Sequence, residues 1–115
     1  MSLQLPAGPA TRIHVARLLL HCCADDIEAA AARGEMMEFT ARVRMDCAHA
    51  VRQCMEAAEI LYLACGGSGI AETNPVQHAW RDLHAVNMHG ALTLETNQVM
   101  YGRILLGLKP NTPLI

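Results

Sequence analysis

Residues 43–65 read VRMDCAHAVRQCMEAAEILYLAC. Within them Val43, Cys47, Ala50, Cys54, Ala57, Leu61 and Cys65 recur at steps of four and three. At 3.6 residues per turn those positions share one face of a helix, and no period of two competes with them. The stripe is made of small residues, so a second helix can approach closely. Gly66-Gly67 follow at once and stop the pattern. The spacing therefore predicts a long helix from about Glu38 to Cys65.

Reading outward from that helix gives more of the same kind. From Pro9 to Arg33 the apolar positions are Ile13, Ala16, Leu20, Cys23 and Ile27, again three and four apart, with Arg12, Asp25, Asp26 and Glu28 on the polar side. Pro9 suits a first helical turn and Gly34 a C-terminal cap. A third helix is predicted to begin at Pro75 with Asn74 as its N-cap. A fourth is predicted from Leu92 to Leu108. Gly90 lies between the two, as either a break or a kink in one longer helix. Lys109-Pro110-Asn111-Thr112-Pro113 cannot continue a helix. The expected organisation is a flexible lead-in over 1–8, one domain over 9–108 and a tail over 109–115. Four helices joined by short loops predict an all-α, antiparallel four-helix bundle.

Composition agrees and excludes several functions. A chain of 115 residues is one domain's worth, 52% apolar but only 3% aromatic, and dominated by good helix formers. The net charge of −2 and the scattered basic residues leave no electrostatic footprint for nucleic acid. No apolar run approaches the roughly 18 residues that span a bilayer, and MSLQLPAGPA is not a signal peptide. Five cysteines, none in a Cys-x-x-Cys pair, read as reduced small hydrophobes in a cytoplasmic protein. Six histidines invite a metal site, but no two are four apart. His14 and His21 stand about 10 Å apart along a helix axis, so no metal is expected.

Two segments carry candidate chemistry. Gly66-Gly67-Ser68-Gly69 follows a helix and not a strand, so the context of a dinucleotide fingerprint is absent. It reads either as a helix stop with a flexible link, or as backbone that lets a ligand such as a phosphate or adenine come close. On the third helix His78, Asp82, Ala85 and His89 fall on one face, while Val76, Trp80, Leu83 and Asn87 fall on another. The second is a core face. The first is either an ordinary solvated face or the lining of a site completed from outside the chain, with His89 as its candidate functional group.

The order Leu63-Ala64-Cys65-Gly66-Gly67-Ser68-Gly69-Ile70, then Asn74-Pro75-Val76-Gln77, then Trp80-Arg81-Asp82 resembles the C-terminal helical domain of the acyl-CoA dehydrogenase superfamily. RDLHAVNMHGAL followed by VMYGRILLGL is similar to its flavin-dependent monooxygenase branch, the oxygenase components of hydroxyphenylacetate and hydroxylated-steroid hydroxylases. The resemblance is specific over residues 65–108 and extends as a helical pattern over most of 10–108. It implies a parent several times longer, with an N-terminal helical domain and a central β domain ahead of this bundle. It implies a flavin, FAD or FMN, approached by the backbone of Gly66, Gly67, Ser68 and Gly69, often from a neighbouring subunit. Arg81 with Asp82 would tie the third helix to the rest of the domain. His89 would lie near the isoalloxazine ring and the substrate, placed to donate a hydrogen bond or polarise a phenol. Ser68 stands where many dehydrogenases have a tyrosine, and His78 where arginine is common.

The dehydrogenase branch places a catalytic carboxylate nine residues after the arginine of the Arg-Asp pair. Here that position is Gly90, and Glu95 is more than a turn further on. The reading that follows is the C-terminal domain of a flavin-dependent oxidoreductase, a monooxygenase using reduced flavin and O2. The domain would support dimer or tetramer formation and supply part of the flavin pocket. Its implied partners are the parent's missing domains and a flavin reductase. The isolated chain is expected to be inactive and to retain no flavin. The alternatives are the same domain of an acyl-CoA dehydrogenase and a stand-alone, non-enzymatic oligomerisation module.

Overall fold

The computed structural model describes residues 4–34 and 37–111. The start of the lead-in, residues 1–3, and most of the tail, 112–115, lie outside the described residues. Four helices follow one another: α1 (Gln4–Arg33), α2 (Met37–Ala64), α3 (Pro75–Asn87) and α4 (Leu94–Leu105). Short 3-10 helices at Gly66–Ile70 and Gly90–Leu92 connect the last three. There is no strand among the described residues, and the fold is the all-α, four-helix bundle that the periodicity predicts.

Helix ends show where local rules prevail. Gly34 and Gly66 take φ of 74° and 60°, the left-handed conformation that closes α1 and α2. Asn74 caps α3 as expected, its side chain accepting from the Val76 N–H at 2.8 Å. Helix α1, however, begins at Gln4 and not Pro9. Pro9 removes only the bond to the carbonyl four residues back, and the residue is itself buried. Helix α4 ends at Leu105, short of the expected Leu108. There Gly107 turns to φ 76°, its N–H bonding Ile104 O at 3.0 Å while the Leu108 N–H reaches Arg103 O at 2.8 Å. Those two bonds form a Schellman closure. At Gly90 the choice between kink and break resolves as a break, because α3 stops at Asn87.

Helix α2 is the hub, packing against every other element. It runs antiparallel to α1, with Arg12 and Glu56 paired at 3.3 Å. The seam of α1 is Ala16, Cys23 and Ala30, and Ala41, Ala48, Ala50, Ala57 and Ala58 are buried on α2. The larger members of the α1 stripe are not enclosed: Ile13, Leu20 and Ile27 remain 40%, 48% and 47% exposed. A broad apolar stripe with a single neighbouring helix buries its narrow centre and leaves its flank outside. The result is long and thin, 50 × 24 × 23 Å, with a radius of gyration of 16.6 Å. A compact chain of this length would measure about 13 Å.

Candidate functional site

The glycine segment is short and tied at both ends. Cys65 N–H bonds Leu61 O at 3.2 Å, Gly66 reverses the backbone, and Gly66–Ile70 winds into a 3-10 helix. Beyond it the buried Gln77 donates from Nε2 to Ile70 O at 2.7 Å, fastening the segment to α3. Gly66 and Gly67 are exposed, and a Cβ built on either meets no atom within 4 Å. The chain itself therefore imposes no steric demand for glycine at Gly67. What it offers there is bare backbone facing outward.

Helix α3 divides as its spacing predicts. His78, Asp82, Ala85 and His89 are exposed, whereas Val76, Trp80, Leu83 and Asn87 are half-buried. Trp80 lies between Tyr62 and His84, with ring centroids 5.1 and 4.2 Å away, and its Nε1–H donates to the Glu59 carboxylate. His84 Nδ1 sits 2.7 Å from Trp80 O, and since a carbonyl only accepts, Nδ1 carries the proton. Arg81 is exposed and makes no hydrogen bond or ion pair among the described residues. Between α1, α2 and α3 runs an open apolar groove of about 510 Å³, lined by Ile13, Cys54, Leu61 and Val76 among others, with Asp82 at its side.

His89 stands at the corner after α3, in extended conformation, as the N-cap of the 3-10 helix Gly90–Leu92. Its Nδ1 accepts from the Ala91 N–H at 3.2 Å. A ring nitrogen that accepts is unprotonated, so in neutral imidazole the proton is on Nε2. His89 thus presents an N–H donor away from its own backbone. The corner is held by side chains that the sequence reading did not single out. Asn97, fully buried on α4, donates from Nδ2 to Ala91 O at 2.9 Å and to Thr93 O at 2.8 Å. Thr93 Oγ1 donates to Asn87 O and His89 O, both at 3.4 Å. One signal was available: an asparagine on the same turn-to-turn face as Leu94 and Met100 has only main-chain groups to bond.

Glu95 bonds Arg52 at 3.0 Å, and its own backbone N–H followed by that guanidinium holds its carboxyl below the usual range. A carboxylate stabilised in that way is a poor proton acceptor. Three of the cysteines are instead held in the thiol form by burial. Burial, and then the neighbouring Cys47, pushes the Cys23 thiol up to about 12. Burial also raises Cys47 and Cys54. All five are free thiols. Among the described residues no group of three His, Cys, Asp or Glu side chains is placed to hold a metal, and no helix is long and apolar enough to cross a membrane.

The structure does not gather the candidates at one point. The glycines lie at the start of α3 and His89 at its end. A helix of 13 residues separates them, or about 20 Å by helical rise. Arg81 lies between them on the exposed side.

An all-α hub-and-spoke bundle with this glycine turn, Arg-Asp pair and histidine corner defines a class, and the comparisons agree. Residues 5–93 match the family model described as acyl-CoA dehydrogenase, C-terminal domain, and the chain belongs to that family. Within it the chain is 30% identical over 100 residues, 86% of its length, to the oxygenase subunit HsaA, a flavin-dependent monooxygenase of Mycobacterium tuberculosis. It is 39% identical over 56 residues, 49% of its length, to the oxygenase component of an FADH2-dependent resorcinol hydroxylase of Rhizobium, covering 14% of that protein. Among solved structures it superposes on the 3-HSA hydroxylase of Rhodococcus with a TM-score of 0.83 at 29% identity, covering 95% of this chain and 29% of that one. On XiaF of Streptomyces, in complex with FADH2 and glycerol, the TM-score is 0.87 at 27% identity, with coverage of 99% and 30%. The chain spans 25% of the length of the HsaA relative.

Proposed function

We propose that this chain is the C-terminal domain of the oxygenase component of a flavin-dependent monooxygenase, and that it supplies a subunit contact and part of the flavin pocket. One observation carries the reading. His89 is exposed, its ring orientation is set by the Ala91 N–H, and its Nε2–H points outward as a donor. A donor of that kind suits an oxygen acceptor, such as the hydroxyl or phenolate of a phenolic substrate. When bound, a reduced flavin supplies the electrons that activate O2. His89 orients the substrate oxygen, and Gly66–Gly69 bring backbone rather than side chains to the cofactor. The open space before Gly67 fits a flat group lying against the main chain.

Because α3 separates the glycines from His89, we place the glycine turn against the flavin of a neighbouring protomer and His89 against its own. Arg81, exposed and unpaired among the described residues, then faces the cofactor or the adjoining domain. We take the cofactor to be FAD, since the resorcinol hydroxylase is FADH2-dependent and XiaF is in complex with FADH2. The word component in the relatives' names supports a separate reductase as partner. Self-association is supported by the outward flank of Ile13, Leu20 and Ile27. The dehydrogenase reading is disfavoured by Gly90 at the position of the carboxylate and by the pairing of Glu95 with Arg52.

The test uses the full-length protein with reduced FAD and O2. His89→Ala is expected to lower hydroxylation turnover by roughly 10²- to 10⁴-fold while oxygen consumption is followed in parallel. Unchanged turnover on a phenolic substrate would remove His89 from the site.

A further inference from the structure

We infer that Asn97 is a positioning residue for His89, acting through the main chain of the corner that carries the imidazole. The inference rests on the proposed role of His89. Asn97 does not touch the ring. Both hydrogens of its amide are committed, one to Ala91 O at 2.9 Å and one to Thr93 O at 2.8 Å. This fixes which end of the amide is nitrogen, since an oxygen there would face two carbonyls. Ala91 is the residue whose N–H orients the His89 ring, and Leu92 N–H returns to His89 O at 2.9 Å. One buried side chain thus holds the main chain at Ala91, the residue that sets the tautomer, and again two residues further on at Thr93.

The arrangement leaves a sign of purpose. Asn97 is fully buried and its Oδ1 has no donor among the described residues. A bare buried acceptor is unfavourable, and an apolar residue at this position of α4 would avoid it. An asparagine earns its place here only through its two donated bonds. Both end on the two residues flanking Leu92, within four positions of His89.

A double-mutant cycle on turnover, with amide exchange as a second readout, tests the assignment in the full-length protein. Asn97→Ala in the His89 background is expected to lower kcat on the order of tenfold, since small displacements of a reacting group are costly. In the His89→Ala background the same substitution is expected to change kcat less than about twofold, because a residue acting through His89 has nothing left to position. Equal losses in both backgrounds would reduce Asn97 to a general structural role and overturn the inference. Independently of activity, Asn97→Ala is expected to speed amide exchange at Ala91 and Leu92 while leaving α1 and α2 unchanged. Exchange that rises equally everywhere, or nowhere, would also overturn it. If Asn97→Ala does not fold, Asn97→Ser keeps one donor for Thr93 O and is read in the same way, with a smaller expected loss. A silent His89→Ala would instead sink the proposed function, and the exchange data would still decide whether Asn97 holds the corner.

Discussion

Cys23 shows how a single residue is read two ways by its surroundings. Its position in the α1 stripe marks it as a small hydrophobe, and the fold buries it on the seam with α2. There burial comes first, and the Cys47 thiol second, in pushing its own thiol up to about 12. A folded-state pKa raised above the unfolded value of 9.0 contributes stability that is whole below pH 9. The contribution is lost as the pH rises toward 12, because the unfolded chain then releases the proton more readily. Denaturant midpoints are expected to fall steeply between pH 9 and 12 in the wild type and less steeply in Cys23→Ala. Parallel declines in the two proteins would mean that Cys23 is not held as a buried thiol. The role of a cysteine was legible from spacing alone. That of Asn97 was not, because its two bonds depend on how the chain turns between Asn87 and Leu94, which no periodicity describes.

Helix ends mark the limit of what local rules can settle. Asn74 and Pro75 form an N-terminus whose chemistry is complete within three residues, so it was readable in advance. Asn74→Ala removes the bond to the Val76 N–H and is expected to cost about 1 kcal/mol, measured as a shift in chemical denaturation at unchanged m-value. No shift would indicate that Pro75 and the Gln77–Ile70 bond alone hold this end. The break near Gly90 was not readable in advance. Asn87-Met88-His89-Gly90 contains no residue that forbids a helix, and glycine alone leaves kink and break both open. What decides it is Thr93 and Asn97 reaching back to the carbonyls of Asn87, His89 and Ala91. Proline misled at the other extreme, since Pro9 fits a first turn by rule yet sits inside α1.

For the whole molecule, helix count and class followed from composition and period, but the openness did not. Periodicity says which side of a helix is apolar, not how much of that side its neighbours reach. Among the described residues only α2 covers α1 to any extent, so Ile13, Leu20 and Ile27 border an open groove and an uncovered flank. The same incompleteness holds for the proposed site, whose glycines and histidine occupy opposite ends of α3. A chain that offers bare backbone at one end and an oriented donor at the other is, in this account, one part of a larger cofactor chamber.

Gly67 gives the most direct test of that account. A Cβ there meets nothing within 4 Å in the chain itself, and the residue is exposed, so Gly67→Ala is expected to leave folding stability unchanged within about 0.5 kcal/mol. The measurement is the affinity of the full-length protein for reduced FAD, taken with and without that substitution. Weakening of about tenfold or more at unchanged stability is expected, the mark of a methyl group placed where the cofactor lies. Equal affinity in the two proteins would contradict it, since the turn would then face no flavin.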